Sequence, residues 1–537
     1  MLSAPRRELI FLFLVGTIPA VVTLWISGFG EAMEDAAIHL AMAKDLWSEG
    51  FFSLTIGTPA GAVTSPLWVF LESIPLVFTG GTTETVTFMG LFTTILFTWN
   101  LWSLLSYQSK EIAAFTVVLT LLSGPIQWHL WSGMETLLFG AFILGALDGI
   151  QREKYRAFGV WSALAILTRM EGILLMGAPL WILIKRRQDP TTELMPITRS
   201  LLFPVAAFGL FGMINWFHTD HFMPTTGDGK RFLYGIHLHG LDALVILPSR
   251  MAILLEDWAY FIYGAFAKNG NPVLFWLSVA IAPAGAGLLW FHRNKAAFWL
   301  FAWCTIITVI YAIELPVRDV AGRYQALHLL ILPLTAGAAI AGAKRLHPAL
   351  GLLLFTLMTA QTSLTLSPWA QARHTQMQHL QSVHREAGKW IAENNNACHP
   401  IILGEIGWIS FENKREVCSP PIRDYYALAD PEYFKDASKG RALSAAIKEG
   451  ENAIFALSML SVNFPSIHLN LSFPEGDPGT WKVGQTYEVK ENKTGERFLF
   501  RVEKRFSYTF PEVPEYHHPA GRITGMNPII VGVVKAL

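Results

Sequence analysis

The stretch "GEAMEDAAIH" places Glu31, Glu34 and Asp35 within five positions and puts His39 one helical turn beyond Asp35. Carboxylates grouped in this way can take a proton from a hydroxyl group or hold a cation. Other ionisable residues stand inside or beside apolar runs. Glu135 lies in "LWSGMETLLFGAF", Arg169 and Glu171 in "LAILTRMEGILLM", and Arg318, Asp319 and Arg323 in "IELPVRDVAGRYQALHLLILP". A charge at the centre of a bilayer costs about 2.5–3.5 kcal/mol on insertion scales, so it usually has a partner or a watery cavity. Singly, each of these residues could simply mark the end of a span. Together they look like parts of one polar cavity at a membrane face. Lys230 and Arg231 follow a Gly-rich turn in "HFMPTTGDGKRF". They would suit a phosphate through charge-assisted hydrogen bonds, or equally anionic lipid headgroups.

The elements that must position these residues are mostly membrane spans. Of the 537 residues, 52% are apolar and 15% charged, and mean hydropathy is +0.37. A soluble domain carries about 25% charge. Runs such as "LIFLFLVGTIPAVVTLWISGFG" are long enough to cross a hydrocarbon core, and about eleven spans are expected. The chain reads as a polytopic α-helical membrane protein over residues 1–367, followed by a C-terminal α/β domain over 368–537. The formal net charge is zero, with no strongly basic face, which argues against nucleic acid as a partner.

Arg6 and Arg7 precede the first span and predict a cytoplasmic N-terminus. The basic loops at Lys185, His292 and Ala343 should be cytoplasmic by the same rule, which puts the acidic cluster and the C-terminal domain outside. The loop "QREKYR" at Gln151 comes out external in this count and dissents, leaving the parity between Leu104 and Ile184 open.

From Glu34, the stripe Ile38, Met42 (or Ala41) and Leu46 predicts a short helix along the interface, with its apolar face in the membrane and Gly50 as its C-cap. Asp35 and His39 then share another face. An ordinary interfacial helix with a solvated acidic N-terminus would read the same way. In the C-terminal part, "SVHREAGKWIAEN" predicts a helix and "PIILGEIGWISF" a strand. Cys398 and Cys418 flank that strand. They would form a disulfide in an oxidising compartment, the alternative being two unpaired thiols. His218, His221, His237 and His239 match no metal-site spacing. His374, His379 and His384 recur every five residues, which does not hold one α-helical face.

In order, "MEDAAIHLAMAKDLWSEG", "AVTSPLWVFL", "SGMETLLFG", "LTRMEGILL", "HFMPTTGDGK", "GRYQALHLLILP" and "ILGEIGWIS" resemble the GT-C superfamily of polyprenyl-phosphate-sugar-dependent glycosyltransferases, most of all its arabinofuranosyltransferase-like branch. The resemblance implies a bacterial multi-span enzyme of the cytoplasmic membrane. It would move a sugar, arabinofuranose on the branch likeness, from a polyprenyl-phosphate donor to a glycan or protein acceptor on the outer face. The family's acidic pair maps onto Glu34 and Asp35, with Asp35 as general base, Glu34 assisting and Glu31 solvated. Lys230, Arg231 and Arg323 would bind the donor phosphate. His39, Glu135, Arg169, Glu171, Arg318 and Asp319 would support the polar cavity. The family's "PNT" stands here as Pro224, Thr225 and Thr226, without the asparagine. The carboxylates could hold a divalent cation, though nothing in the sequence requires one. The rival functions are a flippase or transporter of a lipid-linked sugar, and an O-antigen ligase or polymerase. The acidic cluster, the large C-terminal domain and the lack of an evident internal repeat favour the transferase.

Overall fold

The computed structural model describes residues 4–60, 63–186, 195–318, 320–404, 406–414, 418, 420–424, 430–447, 452–458, 470–508 and 529–537; Asp319 lies outside them. Among the described residues, seven helices are long and apolar enough to cross a membrane: Arg7–Ser27 within α1 (Ala4–Ser27), Thr82–Ser106, Met195–Thr219, Pro272–Phe291, Lys295–Glu314, Ala321–Leu346 and Pro348–Asn394. The expected number, about eleven, is reached only by adding shorter pieces. Lys110–Leu121 and Gly124–Trp131 form one broken span, bent by 70°, where Pro125 opens the second piece.

Following α2 (Glu34–Lys44), α3 (Leu46–Glu49), α4 (Pro66–Thr79), α5 (Thr82–Ser106) and that broken pair, α6 (Lys110–Leu121) and α7 (Gly124–Trp131), comes α8 (Thr136–Gln151). Every residue of α8 but Asp148 is buried, so it runs through the middle of the bundle. Its partner α9 (Tyr155–Thr168) returns alongside. A Cβ on Gly149 would stand 2.7 Å from the Phe158 nitrogen, so only glycine lets the two backbones approach this closely.

Ion pairs fix which ends lie together. Lys110 reaches Glu8 at 2.5 Å and Lys344 reaches Glu111 at 2.7 Å. Arg152 lies 4.6 Å over the Tyr107 ring and donates to the Ser103 carbonyl at 2.6 Å. The loop at Gln151 therefore shares an end with the N-terminus and the loop at Lys344, and the dissent disappears. The sequence hid this because α6 and α7 read as a single apolar run. Glu135, preceding α8, is at the opposite end, roughly 24 Å away along a sixteen-residue helix.

The last candidate span does not stop at the membrane. α10 (Pro348–Asn394) continues for 47 residues into the C-terminal domain, with a π-helical turn over Leu380–Arg385. After a two-stranded hairpin near the first loop, β1 (Ser53–Thr55) with β2 (Thr58–Pro59), all remaining strands among the described residues belong to one sheet. Its strands are β3 (Ile401–Leu403), β4 (Ile422–Asp424), β5 (Asn452–Ser458), β6 (Leu471–Ser472), β7 (Thr486–Glu491), β8 (Arg497–Phe506) and β9 (Ile529–Ala536), in the order β4-β3-β5-β9-β8-β7-β6. β4, β3 and β5 are parallel and the rest antiparallel.

The expected strand over "PIILGEIGWISF" is shorter than the sequence suggests: β3 ends at Leu403, and Gly407–Asn413 forms a helix, α11. Ile401–Leu403 and Ile406–Phe411 are both buried, and periodicity cannot separate strand from helix in such short apolar runs. Cys398 and Cys418 are joined, as an oxidising compartment would allow, with Cα atoms 5.8 Å apart, across this strand–helix unit.

The stripe on α2 also finds a different home. Ile38 and Met42 are buried with Trp408 and Ile409 of α11 and with Ile401 and Leu403 of β3. The C-terminal domain, not lipid, covers that face. Gly50 ends α3 in the left-handed region, as expected of a C-cap.

Candidate active site

Asp35 stands in the first turn of α2, with 39% of its side chain exposed, as a group lining a crevice would be. Its Oδ2 lies 2.6 Å from a guanidinium nitrogen of Arg323. Arg323 is aimed by strained backbone. Ala321 and Gly322 both have positive φ, 53° and 75°, and the His129 imidazole lies 2.8 Å from the Ala321 carbonyl oxygen. A Cβ at Gly322 would meet Trp258 at 2.8 Å, so both conformation and space require glycine. His129 belongs to α7, so the broken span serves to deliver a buried clamp to this turn.

Burial alone would push the Asp35 carboxyl up, but the charges of Arg323 and Lys230 overrule it and hold it well below the usual carboxylate range. Burial holds His39, one turn along, in its neutral form below the ordinary imidazole range, against the pull of Glu135 and Asp35. Its Nδ1 lies 4.0 Å from Glu135 Oε2.

Three cations surround one aromatic ring. Arg323 and Arg169 lie 5.2 Å from the centre of Tyr324, and Lys230 lies 4.9 Å from it. Lys230 also donates to the Tyr324 hydroxyl. Tyr324 stacks on Tyr311 at 5.0 Å with their planes 16° apart. Arg169 is held from two sides, donating to Glu135 at 2.6 Å and to Glu171 at 2.7 Å, and Tyr311 donates to the same Glu171 oxygen at 2.5 Å. The ring faces and acidic partners keep several positive charges together where they would otherwise repel one another.

The structure thus joins Asp35, His39, Glu135, Arg169, Glu171, Lys230 and Arg323 in one network. It does not bring the other expected residues that are described into it. Arg231 turns away to Asp228 at 2.7 Å and Glu314 at 2.5 Å. Arg318 pairs with Asp257 at 3.0 Å and lies 4.5 Å over Phe261. Glu34 is engaged by the C-terminal domain. Its Oε1 accepts from the Trp408 backbone N–H at 3.1 Å and its Oε2 lies 3.2 Å from His384 Nδ1. Glu31, expected to be solvated, is 1% exposed and accepts from Gln381 at 2.9 Å. The chain turns inward at Gly30 because Arg373 binds the carbonyls of Gly28 and Gly30.

Sequence reasoning did not single out Tyr311, Tyr324, His129 or Arg373. The only signal for Tyr324 was its place next to Arg323 in "GRYQ". Among the described residues, no group of three or more His, Cys, Asp or Glu side chains could hold a metal ion.

No protein-family model matches the chain, and no curated protein sequence matches it. Solved structures do. ArnT from Cupriavidus metallidurans bound to undecaprenyl phosphate superposes with a TM-score of 0.52 over 88% of this chain and 97% of its own, at 13% identity. Its apo form gives 0.51 over the same shares, at 14% identity. The Archaeoglobus fulgidus oligosaccharyltransferase in its apo form gives 0.54 over 85% of this chain and 71% of its own, at 10% identity. The chain therefore has the GT-C-like architecture that its motifs implied: a polytopic helical membrane part with a C-terminal α/β domain.

Proposed function

We propose that this protein is an inverting glycosyltransferase that moves a sugar from a polyprenyl-phosphate donor to a cell-envelope acceptor. One observation carries the reading: a carboxylate, Asp35, faces a cluster of cations around Tyr324 in a chain that shares its fold with ArnT, which was solved with undecaprenyl phosphate bound. The acceptor hydroxyl gives its proton to Asp35 while its oxygen forms the new bond to the anomeric carbon. The bond from that carbon to the phosphate oxygen breaks, and its electron pair leaves with the polyprenyl phosphate. The leaving group is already anionic, so fixed cations stabilise it without a general acid. Arg323 and Lys230 serve as the phosphate-binding pair, and Arg169, locked between Glu135 and Glu171, keeps the field positive.

A phosphate competes with Asp35 for Arg323. Donor binding therefore loosens the ion pair and raises the basicity of Asp35 when a base is needed. The finer reading assigns arabinofuranose as the sugar, on the motif likeness, and a bacterial cytoplasmic membrane with the site on its outer face, on the basic loops at the opposite end.

Purified protein in nanodiscs, given radiolabelled polyprenyl-phosphoryl arabinofuranose or hexose with an envelope extract, should release polyprenyl phosphate and label the acceptor. Asp35→Asn should abolish both while retaining the fold. Full transfer by that variant would overturn the mechanism. Movement of label across the bilayer without transfer would point to a flippase.

A further inference from the structure

We propose that Glu34 is a positioning residue, the handle by which the C-terminal domain sets the angle of α2, and that Asp35 alone of the acidic pair does proton chemistry. The inference rests on the transferase reading above and deepens it.

The segment from Ser27 to Glu34 is held in sequence along one helix. Arg373 of α10 donates to the Ser27 hydroxyl at 2.6 Å and the Gly28 carbonyl at 2.7 Å. His374 Nδ1 lies 3.0 Å from the Ser27 carbonyl oxygen. Gln381 then donates to Glu31 at 2.9 Å, and His384 stands 3.2 Å from Glu34. The π-helical turn at Leu380–Arg385 makes this possible. An extra residue in that turn brings His379 and His384 together, ring centres 5.1 Å apart, and aims His384 at α2.

The second grip comes from α11. The Trp408 N–H occupies the other Glu34 oxygen, and a Cβ on Gly407 would stand 2.5 Å from the Glu34 carbonyl oxygen. The two grips are themselves tied, since Arg385 bonds Glu412 at 2.8 Å and lies 4.5 Å over the Trp408 ring. One oxygen of Glu34 thus accepts from the Trp408 N–H and the other lies beside His384, both in the C-terminal domain, and only 12% of the side chain is exposed. A group so held fixes a helix; it does not collect a proton from an incoming hydroxyl. The very next residue, Asp35, lies on the side of α2 that meets Arg323. A small rotation of α2 would move Asp35 off that partner, so anything that shifts α10 or α11 reaches the base through Glu34.

The test compares Glu34→Ala with Glu34→Gln. The amide keeps the acceptor oxygen for Trp408 but cannot act as a base. Glu34→Ala should lower kcat by about 10- to 100-fold with donor KM within about twofold, and Glu34→Gln should restore at least about half of wild-type kcat. Hydrogen exchange of the α2 amides should rise about tenfold in Glu34→Ala and stay near wild type in Glu34→Gln. His384→Gln should fall between them. A Glu34→Gln enzyme as inactive as Asp35→Asn, with α2 exchange unchanged, would overturn the proposal. If wild-type protein transfers no sugar, the transferase reading fails by itself, and the exchange experiment still decides whether Glu34 holds α2. Should Glu34→Ala not fold, His384→Gln gives the same exchange comparison, and unchanged exchange there would equally overturn the proposal.

Discussion

Asp35 and Arg323 meet at 2.6 Å, one from the segment after the first span and the other from a turn nearly three hundred positions later in the chain, with Arg323 only 5% exposed. The pair keeps the carboxylate ionised far below neutral pH, since the Arg323 and Lys230 charges outweigh a burial that pushes the other way. Replacing Arg323 by Met should therefore do two things. Donor affinity should fall about 10- to 100-fold through the lost phosphate contact. The Asp35 carboxyl, then held down chiefly by Lys230 against burial, should titrate higher than in wild type, so residual activity should acquire an acid limb at higher pH than any that wild-type activity takes from this group. Rate–pH profiles of the two proteins check this; parallel profiles would count against Asp35 as the base.

Tyr324 offers a cleaner separation of ring from hydroxyl. Tyr324→Phe removes the acceptor for Lys230 but keeps the face that Arg169, Lys230 and Arg323 surround. Tyr324→Leu removes both. With cation–π contacts worth about 0.5–2 kcal/mol each, the Phe variant should lose less than about fivefold in kcat/KM and the Leu variant more than about 20-fold. Equal losses would mean that the hydroxyl, not the ring, organises the cations.

The carboxylates and most of the cations were legible in the sequence because a charge in an apolar run is conspicuous: Glu135, Arg169, Glu171 and Arg323 all entered one network. Partnership was less legible. Arg231 and Lys230 are adjacent, yet one joins the site and the other turns to Glu314. Tyr311 and Tyr324 resemble any aromatic in a span. The five-residue spacing of His379 and His384 does not hold one α-helical face, but a π-helical turn changes which residues share a face. Glu31 read as solvated because nothing local reveals that a helix 350 positions away covers it.

The bond between Cys398 and Cys418 closes a loop of 20 residues around β3 and α11. On chain-entropy arguments such a link contributes about 3 kcal/mol, and here it braces the unit that carries Trp408. Cys398→Ser with Cys418→Ser should lower the melting temperature of the C-terminal domain by several degrees and raise α2 exchange, without altering the donor affinity of folded protein. Mass analysis without reductant should find the two cysteines linked in wild-type protein.

Glu31 gives the last prediction, and its sign follows from burial. Desolvation raises its carboxyl from 4.5 to about 7, with Arg385 and Arg373 only partly offsetting the effect. The folded protein thus holds this proton more tightly than the unfolded chain does. The associated stability is fully present below about pH 4.5 and is lost as pH rises through about 7, by at most about 3 kcal/mol. Glu31→Gln keeps an oxygen that can accept from Gln381 and carries no charge at any pH. Compared with wild type by thermal unfolding in detergent, it should be similar at pH 5 and more stable at pH 8, with a flatter profile between. If wild type and variant lose stability in parallel from pH 5 to pH 8, Glu31 is not the group that titrates there.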